Sequence, residues 1–406
     1  MNESAFNELA GWVTEAGLIG RTESELMAGF CRRVLDAGVQ LARGIVILDT
    51  LHPIYEGRAF RWRADDPEAV EILDYGRTNE GEAAESWRHS PFFHLLQSGG
   101  TEMRRHLAAG DPADFPAIAQ ARDEGATDYL VLVHRFAAEG VIGEMDCVYS
   151  SWSSDAPDGF GEDGVAALKR LAPFLKLALK SAALARIAGT LAQTYLGRDP
   201  GRRVMSGRIV RGVAEKIGAV LWYSDLHGYT QISDNSPPEQ IIPLLNDYAE
   251  VVVSAVHGHG GDVLKLVGDG TLAIFPAENR EEACRGALAA AVRVRKGVTK
   301  LNGKRAATGL PTSQVYLALH VGDVFYGNIG SKDRLDFTII GPSVNEVSRI
   351  LAMSRSVEQD VLLSADFADA VGSEMRRRLV SVGRYALRGV AQPLELFTPE
   401  PDFEIP

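Results

Sequence analysis

Residues 262–275 read Asp-Val-Leu-Lys-Leu-Val-Gly-Asp-Gly-Thr-Leu-Ala-Ile-Phe, two apolar runs parted by Gly268-Asp269-Gly270. Glycines around a short turn between strand-forming runs predict a β-hairpin with Asp269 at its tip. They also let the backbone turn tightly and come close to a ligand. Upstream, Pro238 to Val256 has helical period, with Ile241, Leu244, Leu245, Tyr248, Val252 and Ala255 along one side. Before it, Val220 to Tyr223 reads as a strand. Downstream, Glu281 to Leu301 reads as a helix, Val315 to Val321 as a strand and Val344 to Met353 as a helix. The order strand–helix–hairpin–helix–strand predicts an α/β (α+β) fold with a ferredoxin-like βαββαβ core.

Three segments of this core carry candidate chemistry. Residues 223–230, YSDLHGYT, put Asp225 at the end of an apolar strand, beside backbone N–H groups at a loop-to-helix junction that suit phosphate oxygens. The hairpin lies beside that strand in such a core, so Asp225 and Asp269 can approach each other. Two close carboxylates repel unless a cation sits between them, and Mg²⁺ or Mn²⁺ is the natural choice for carboxylates with substrate phosphates. Each acid taken alone reads most simply as an ordinary turn residue. Residues 336–349, DFTIIGPSVNEVSR, run from a strand into a helix on which Asn345 and Arg349, four apart, share a face. An amide and a guanidinium there suit a ribose and a charged phosphate; a solvated polar face is the plain alternative.

Taken together, YSDLHGYT, GGDVLKLVGDGTLAIF, LHVGDVFYGNIG, DFTIIGPSVNEVSR and ALRGVAQPLELF resemble the class III nucleotidyl cyclases across about residues 215–397. The resemblance implies that Asp225 and Asp269 bind two metal ions, Mg²⁺ or Mn²⁺, with the backbone carbonyl of Leu226 helping. It implies that Lys265 contacts adenine, Asn345 positions the ribose and Arg349 stabilises the transition state. The base-selecting position lies seven before the asparagine, at Thr338. A threonine there resembles the class IIIb subgroup, which includes bicarbonate-responsive enzymes. Lys265 with Thr338 implies ATP as substrate, whereas guanylate cyclases of the family carry Glu and Cys at these places. Arg388 corresponds to a basic residue that binds phosphate. His227 stands where the family often has Arg. The family geometry implies a homodimer whose sites are split between chains, with the 3′-hydroxyl of ATP attacking its own α-phosphate. The competing readings are a guanylate cyclase and a catalytically silent nucleotide-binding regulator; neither metal acid, nor Asn345, nor Arg349 is lost, as silence would require.

The expected organisation has three parts: a sensor at residues 1–160, a helical connector at 161–214 and the catalytic domain at 215–406. In the first part, Glu23 to Leu41 reads as a helix, Ile45 to Leu48 and Tyr129 to Val133 as strands, and Glu144 to Trp152 as a third strand. The order of elements is similar to GAF-type sensor domains, which implies a small-molecule or bicarbonate regulator. Trp87, Phe92 and Phe93 could line a pocket there, although core packing is the simpler reading. In the connector, Leu168, Leu171, Leu175, Ala178 and Ala182 recur at spacings of three and four. Leu184, Ile187, Leu191 and Tyr195 resume after a slip of phase. Such a helix either packs on its own domain or pairs with a copy of itself. Pro173 predicts a kink or a helix start, and Gly197 with Pro200-Gly201 a stop.

Composition excludes several classes. The 406 residues suit two domains, are 46% apolar and 24% charged, and carry a net charge of −12. So acidic a chain lacks the basic character of a general nucleic-acid binder. Cys31, Cys147 and Cys284 are too few and too scattered for a disulfide framework or a CxxC zinc site, which fits a reducing, cytoplasmic setting. Neither a signal peptide nor a membrane-spanning run is expected. Gly260-Gly261-Asp262-Val263 lacks the Glu-Phe of a GGDEF turn and opens a strand instead, and GxxxxGK[ST] is absent. His257 and His259 read as residues of a solvated loop after a helix, and Cys284 as core.

Overall fold

The computed structural model describes residues 1–79, 81–136, 145–390 and 392–404. It forms two compact units, Met1–Leu191 and Ala192–Pro406. The first unit opens with α1 (Glu3–Leu18) and α2 (Glu23–Asp36), the latter started by a reciprocal Thr22–Glu25 capping box. Strands β1 (Arg43–Asp49), β2 (Gly57–Arg63) and β3 (Asp66–Tyr75) follow. Then come α3 (Gly81–Arg88), α4 (Pro91–Ser98), β4 (Glu102–Arg105) and α5 (Pro116–Asp123). Strands β5 (Asp128–Arg135) and β6 (Cys147–Ser154) complete an antiparallel sheet of order β3-β2-β1-β6-β5-β4, and α6 (Gly161–Leu196) leads out of the unit.

Strand alternation divides this sheet into two faces. Val46, Leu48, Phe60, Trp62 and Trp152 belong to the core shared with α1, α2 and α6. Val131, Val133 and Tyr149 face Phe92, Leu95 and Ile118 on the other side. Three expectations need correction. The helix begun at Glu23 stops at Asp36 rather than Leu41, because Gly38 takes a left-handed φ of 85° and turns the chain. The third strand starts at Cys147, and Glu144 lies outside the described residues. Pro173 neither starts nor ends a helix: α6 runs through it.

The periodic residues of α6 have a definite use. Of the predicted series, Leu168, Leu171, Leu175, Ala178 and Ile187 are buried in the unit's own core, joined there by Leu179 and Ala183, which the spacing did not pick out; Ala182, Leu184 and Leu191 are partly buried against it, and Tyr195 is exposed. The face predicted to meet either its own domain or a second copy is therefore spent on its own domain, as far as Ile187. A different stripe stays exposed: Phe174, Leu177, Ser181, Ala185 and Ala188.

The second unit begins with α7 (Arg198–Met205), β7 (Ala214–Leu226), the short α8 (Tyr229–Asn235) and α9 (Pro238–Gly258). The hairpin is β8 (Asp262–Val267) and β9 (Gly270–Pro276), followed by α10 (Arg280–Ala307). Then come β10 (Val315–Gly330), β11 (Leu335–Ile340), α11 (Pro342–Val357) and β12 (Val361–Ser364). The last elements are α12 (Ala365–Ala370), α13 (Ser373–Arg376), β13 (Leu379–Tyr385) and β14 (Leu394–Pro399). The sheet order is β13-β14-β12-β10-β7-β9-β8, with β11 paired to β10. Within it, β10-β7-β9-β8 with α9 and α10 is the expected βαββαβ core, its strands antiparallel to their neighbours. Val220 and Trp222 of β7 pack with Tyr248, Val252 and Leu288 on the helical side, while Ala219 and Leu221 turn to the opposite core. Cys284 is core, as expected, and all three cysteines are buried and free.

Here too the structure departs from local expectation. Strand β10 reaches Gly330 instead of Val321, because its ladder with β7 continues to the pair Gly327↔Ala214 and its ladder with β11 to Gly330↔Leu335, although polar and glycine residues interrupt the apolar pattern. A Cβ at residue 327 would lie 2.2 Å from the Val213 carbonyl oxygen, so glycine is what permits that approach. Gly197, at φ 96°, ends α6 as expected, but Pro200 and Gly201 lie inside α7. His257 is within α9, not in a loop, with its ring 3.5 Å from the Asp262 carboxylate; the ring of His259 lies 2.7 Å from the Ala255 carbonyl oxygen. Among the described residues no helix is long and apolar enough to cross a membrane.

Candidate active site

Asp225 is the penultimate residue of β7, and Asp269 sits in the two-residue turn that joins β8 to β9. The turn is tight because Gly268 takes a left-handed φ of 63°. Gly270 then enters the ladder so near β7 that a Cβ on it would lie 2.9 Å from the Ser224 carbonyl oxygen. These two glycines bring the acids together. The Leu226 N–H donates to Asp225 Oδ1 at 3.1 Å and to Asp269 Oδ2 at 3.2 Å. Burial, then the Asp269 carboxylate beside it, push the Asp225 carboxyl up to about 7, while the Leu226 N–H and the charge of Arg355 act the other way.

Two carboxylates on a single N–H donor are short of positive charge. Their oxygens are the hard donors that Mg²⁺ and Mn²⁺ prefer, and they leave room for waters or phosphate oxygens. Among the described residues no cluster of three or more His, Cys, Asp and Glu side chains is gathered for a metal, so the pair would hold ions together with backbone and substrate oxygens. The residues present fit that use.

The other expected site residues fall into separate groups. Lys265 of β8 makes an ion pair and hydrogen bond with Asp336 of β11, which brings the hairpin to that strand. Thr338, 8% exposed, lies two positions further along β11, on the same side of the strand by alternation. Phe337, on the opposite side, stands edge-on to Tyr326 at 4.9 Å between ring centroids. Asn345 and Arg349 are exposed on α11, and among the described residues the side chain of neither makes a hydrogen bond or ion pair. Arg388 is exposed in the turn after β13, likewise without a partner among the described residues. Within one chain the structure therefore unites Asp225, Leu226 and Asp269, and unites Lys265 with β11. It brings neither Asn345, Arg349 nor Arg388 into contact with the acids.

Three functional neighbours escaped the sequence reading. Asp336 could have been found, since strand alternation puts it on the side of Thr338. Arg355 gives no local signal for its influence on Asp225. The third is the pairing of buried His320 on β10 with Glu346 of α11 at 3.0 Å and with the Ser364 hydroxyl at 2.9 Å. His320 holds the Glu346 carboxyl below its usual range, and the contact ties α11 to the sheet next to Asn345. His227 packs its ring on Tyr316 at 4.9 Å.

Residues 214–398 match the family model of the adenylate and guanylate cyclase catalytic domain, so this part of the chain is a nucleotide cyclase catalytic domain. An uncharacterised protein of Mycobacterium tuberculosis is 35% identical over 208 residues, covering 50% of this chain and 37% of its own length. A second from the same organism is 34% identical over 208 residues, with the same shares. The chain thus spans a little over a third of the length of the curated relatives it matches. Among solved structures, a bacterial light-regulated adenylyl cyclase is similar at a TM-score of 0.47 and 20% identity, over 57% of this chain and 64% of that one. The adenylyl cyclase CyaB from P. aeruginosa gives 0.42 and 22%, over 47% and 100%. The guanylyl cyclase Cya2 gives 0.41 and 23%, over 47% and 98%.

Proposed function

We propose that the protein is an adenylate cyclase of class IIIb type, converting ATP to 3′,5′-cyclic AMP and pyrophosphate at sites shared between two copies of the chain. The observation that carries this reading is the convergence of Asp225 and Asp269 on one backbone N–H at the tip of the hairpin. Two divalent cations, Mg²⁺ or Mn²⁺, would supply Lewis acidity at the attacking 3′-oxygen and at the polyphosphate. Asp225, Asp269 and the Leu226 carbonyl hold that end of the site. Lys265 and Thr338 read the adenine, Asn345 orients the ribose, Arg349 meets charge developing on the α-phosphate, and Arg388 binds the polyphosphate. The 3′-oxygen forms its bond to the α-phosphorus as the bond to the pyrophosphate oxygen breaks, and no covalent enzyme intermediate is needed. Mass spectrometry of the products formed from ATP and from GTP, side by side, tests the reading: cyclic AMP is expected to dominate, and a dominant cyclic GMP would overturn it.

Base choice gives a sharper test. A pocket that hydrogen-bonds its substrate rejects a base that leaves polar groups unpaired. The double change Lys265→Glu, Thr338→Cys is expected to lower ATP use at least tenfold more than GTP use, on the order of one lost polar match. An unchanged ATP-to-GTP ratio would remove both residues from base recognition.

Residues 1–160 are read as a GAF-like sensor for a small molecule or bicarbonate, and α6 as the element that transmits its state. With its inner face buried, α6 would meet a second copy through the exposed stripe Phe174, Leu177, Ser181, Ala185 and Ala188. One residue inserted after Gly189, beyond the last core position Ile187, rotates the downstream chain by about 100°, whereas seven nearly restore the phase. The single insertion is expected to change basal turnover severely and the seven-residue insertion to spare most of it. Equal activity in both would make α6 a passive tether.

A further inference from the structure

Asp262 and Lys265 lie three residues apart on β8, so in an unbroken strand their side chains would leave on opposite faces of the sheet. They leave on the same face. Asp262 pairs with Ile274 of β9 and Lys265 with Leu272, and both of those partners pack in the core that holds Phe337 and Ile339 of β11. The reason is a shift of register between Val263 and Lys265, which leaves Leu264 as an extra residue without a partner of its own. Such a β-bulge bends its strand and re-aims the side chains beside it. It lets β8 present Asp262 to α7 and Lys265 to Asp336 of β11 at once.

The start of the bulged strand is gripped by the corner where α6 meets α7. Gly197, at φ 96°, passes so close to β8 that a Cβ on it would lie 2.4 Å from the Val263 carbonyl oxygen. The next two residues, Arg198 and Asp199, donate their backbone N–H groups to the Asp262 carboxylate at 3.2 and 2.6 Å. Asp262 thus caps α7 from the strand, a service that Gly197 has no side chain to perform. It is buried, and burial works against its charge, but the His257 ring and the two N–H groups outweigh that and hold its carboxyl below the usual range. The Asp199 side chain in turn accepts from the Tyr326 hydroxyl of β10 at 3.0 Å, and Tyr326 stands against Phe337 of β11. The first turn of α7 therefore ties β8, just ahead of the bulge, to the strands that carry Asp336 and Thr338.

We propose that Asp262 is a positioning residue for base recognition, acting through the bulge to aim Lys265. The proposal rests on the role given to Lys265 in reading adenine. The hairpin turn fixes β8 at its far end, through the pair Val267↔Gly270, and Asp262 fixes it at its start. With both ends held, the extra residue has nowhere to go, and the bend stays directly ahead of Lys265. Without the Asp262 carboxylate the first N–H groups of α7 lose their acceptor. The start of β8 can then slide by one residue, which removes the bulge and straightens the strand. Lys265 keeps its place in the ladder but not its direction toward Asp336. The turn that carries Asp269 and the β7–β9 ladder that ends beside Asp225 take no part in the slide, so base choice suffers more than turnover.

The test measures kcat and KM for ATP and for GTP on the full chain, in a double-mutant cycle of Asp262→Ala with Lys265→Ala. Asp262→Ala alone is expected to lower the ATP-to-GTP ratio of kcat/KM by about fivefold, on the order of one lost hydrogen bond, chiefly through KM for ATP. In a Lys265→Ala chain the same change is expected to leave the ratio where it is, because no lysine remains to be aimed. Asp262→Asn keeps an acceptor for α7 and is expected to fall between the wild type and Asp262→Ala. If the alanine variant loses its cooperative melting transition, the asparagine variant is read in its place through the same cycle. The inference is overturned if the folded Asp262 variant keeps the wild-type ratio, or if it lowers the ratio equally with and without Lys265, as a general loosening of the domain would. If Lys265→Ala alone leaves the ratio unchanged, the role of Lys265 in reading the base falls, and this inference falls with it.

Discussion

Alanine in place of either Asp225 or Asp269 is expected to lower turnover by about a thousandfold or more, at the upper end of what one electrostatic stabiliser of a transition state contributes. The physical reason is the way the two side chains share the Leu226 N–H. Each supplies half of the negative charge that would hold the cations, and among the described residues no third acidic side chain stands by to replace it. The fold should not suffer. The two carboxylates repel each other where they stand, so removing one relieves a like-charge contact and is expected to leave the melting temperature unchanged or slightly raised. Mn²⁺-dependent turnover and a melting curve, measured on the same preparation, check both halves of the expectation. Near-normal activity in either variant would take that acid out of the site.

Mixing two dead variants is expected to restore activity. Arg349 is exposed and makes no ion pair in its own chain among the described residues, and Asn345 beside it is equally unengaged. The roles proposed for Asn345 and Arg349 need them beside the two acids, yet within one chain the structure does not bring them there, which fits a site completed by a second copy. If each site draws its acids from one chain and Asn345 with Arg349 from the other, an Asp225→Ala chain paired with an Arg349→Ala chain makes one site with both defects and one intact site. Random pairing of equal amounts then returns roughly a quarter of the wild-type activity, since half the dimers are mixed and each has one working site of two. Mixtures that stay inactive, although mass measurement shows mixed dimers, would mean that the site is built within one chain.

What the sequence determined by itself was local. The acids could be found because one ends an apolar strand and the other tips a glycine-flanked hairpin, both signals carried by a few adjacent residues. The order of elements in the βαββαβ core was legible for the same reason, since a period of two or of 3.6 needs no knowledge of the rest of the chain. So was the shared face of Asn345 and Arg349, which follows from helix geometry alone.

Tertiary structure decided whatever depends on a distant partner. Strand β10 runs on past Val321 because β7 pairs with it as far as Gly327 and β11 as far as Gly330, so pairing overrides the glycines and polar residues that locally argue for an end. Lys265 meets Asp336, 71 residues away, and buried His320 meets Glu346 across the sheet, contacts that no periodicity announces. Pro173 is accommodated within α6, where Leu171 and Leu175 on either side of it are fully buried, and burial of that kind outweighs the lost backbone bond. The spacing of Leu168, Leu171 and Leu175 revealed an apolar face but not what covers it; the sheet of the first unit does. Furthest from sequence is a cavity of about 510 Å³ in the first unit, lined by Trp87 and Phe92 among others. It exists because five separate strands and the helices above them leave a space unfilled, and unfilled space is a property of the assembled packing rather than of any residue that borders it.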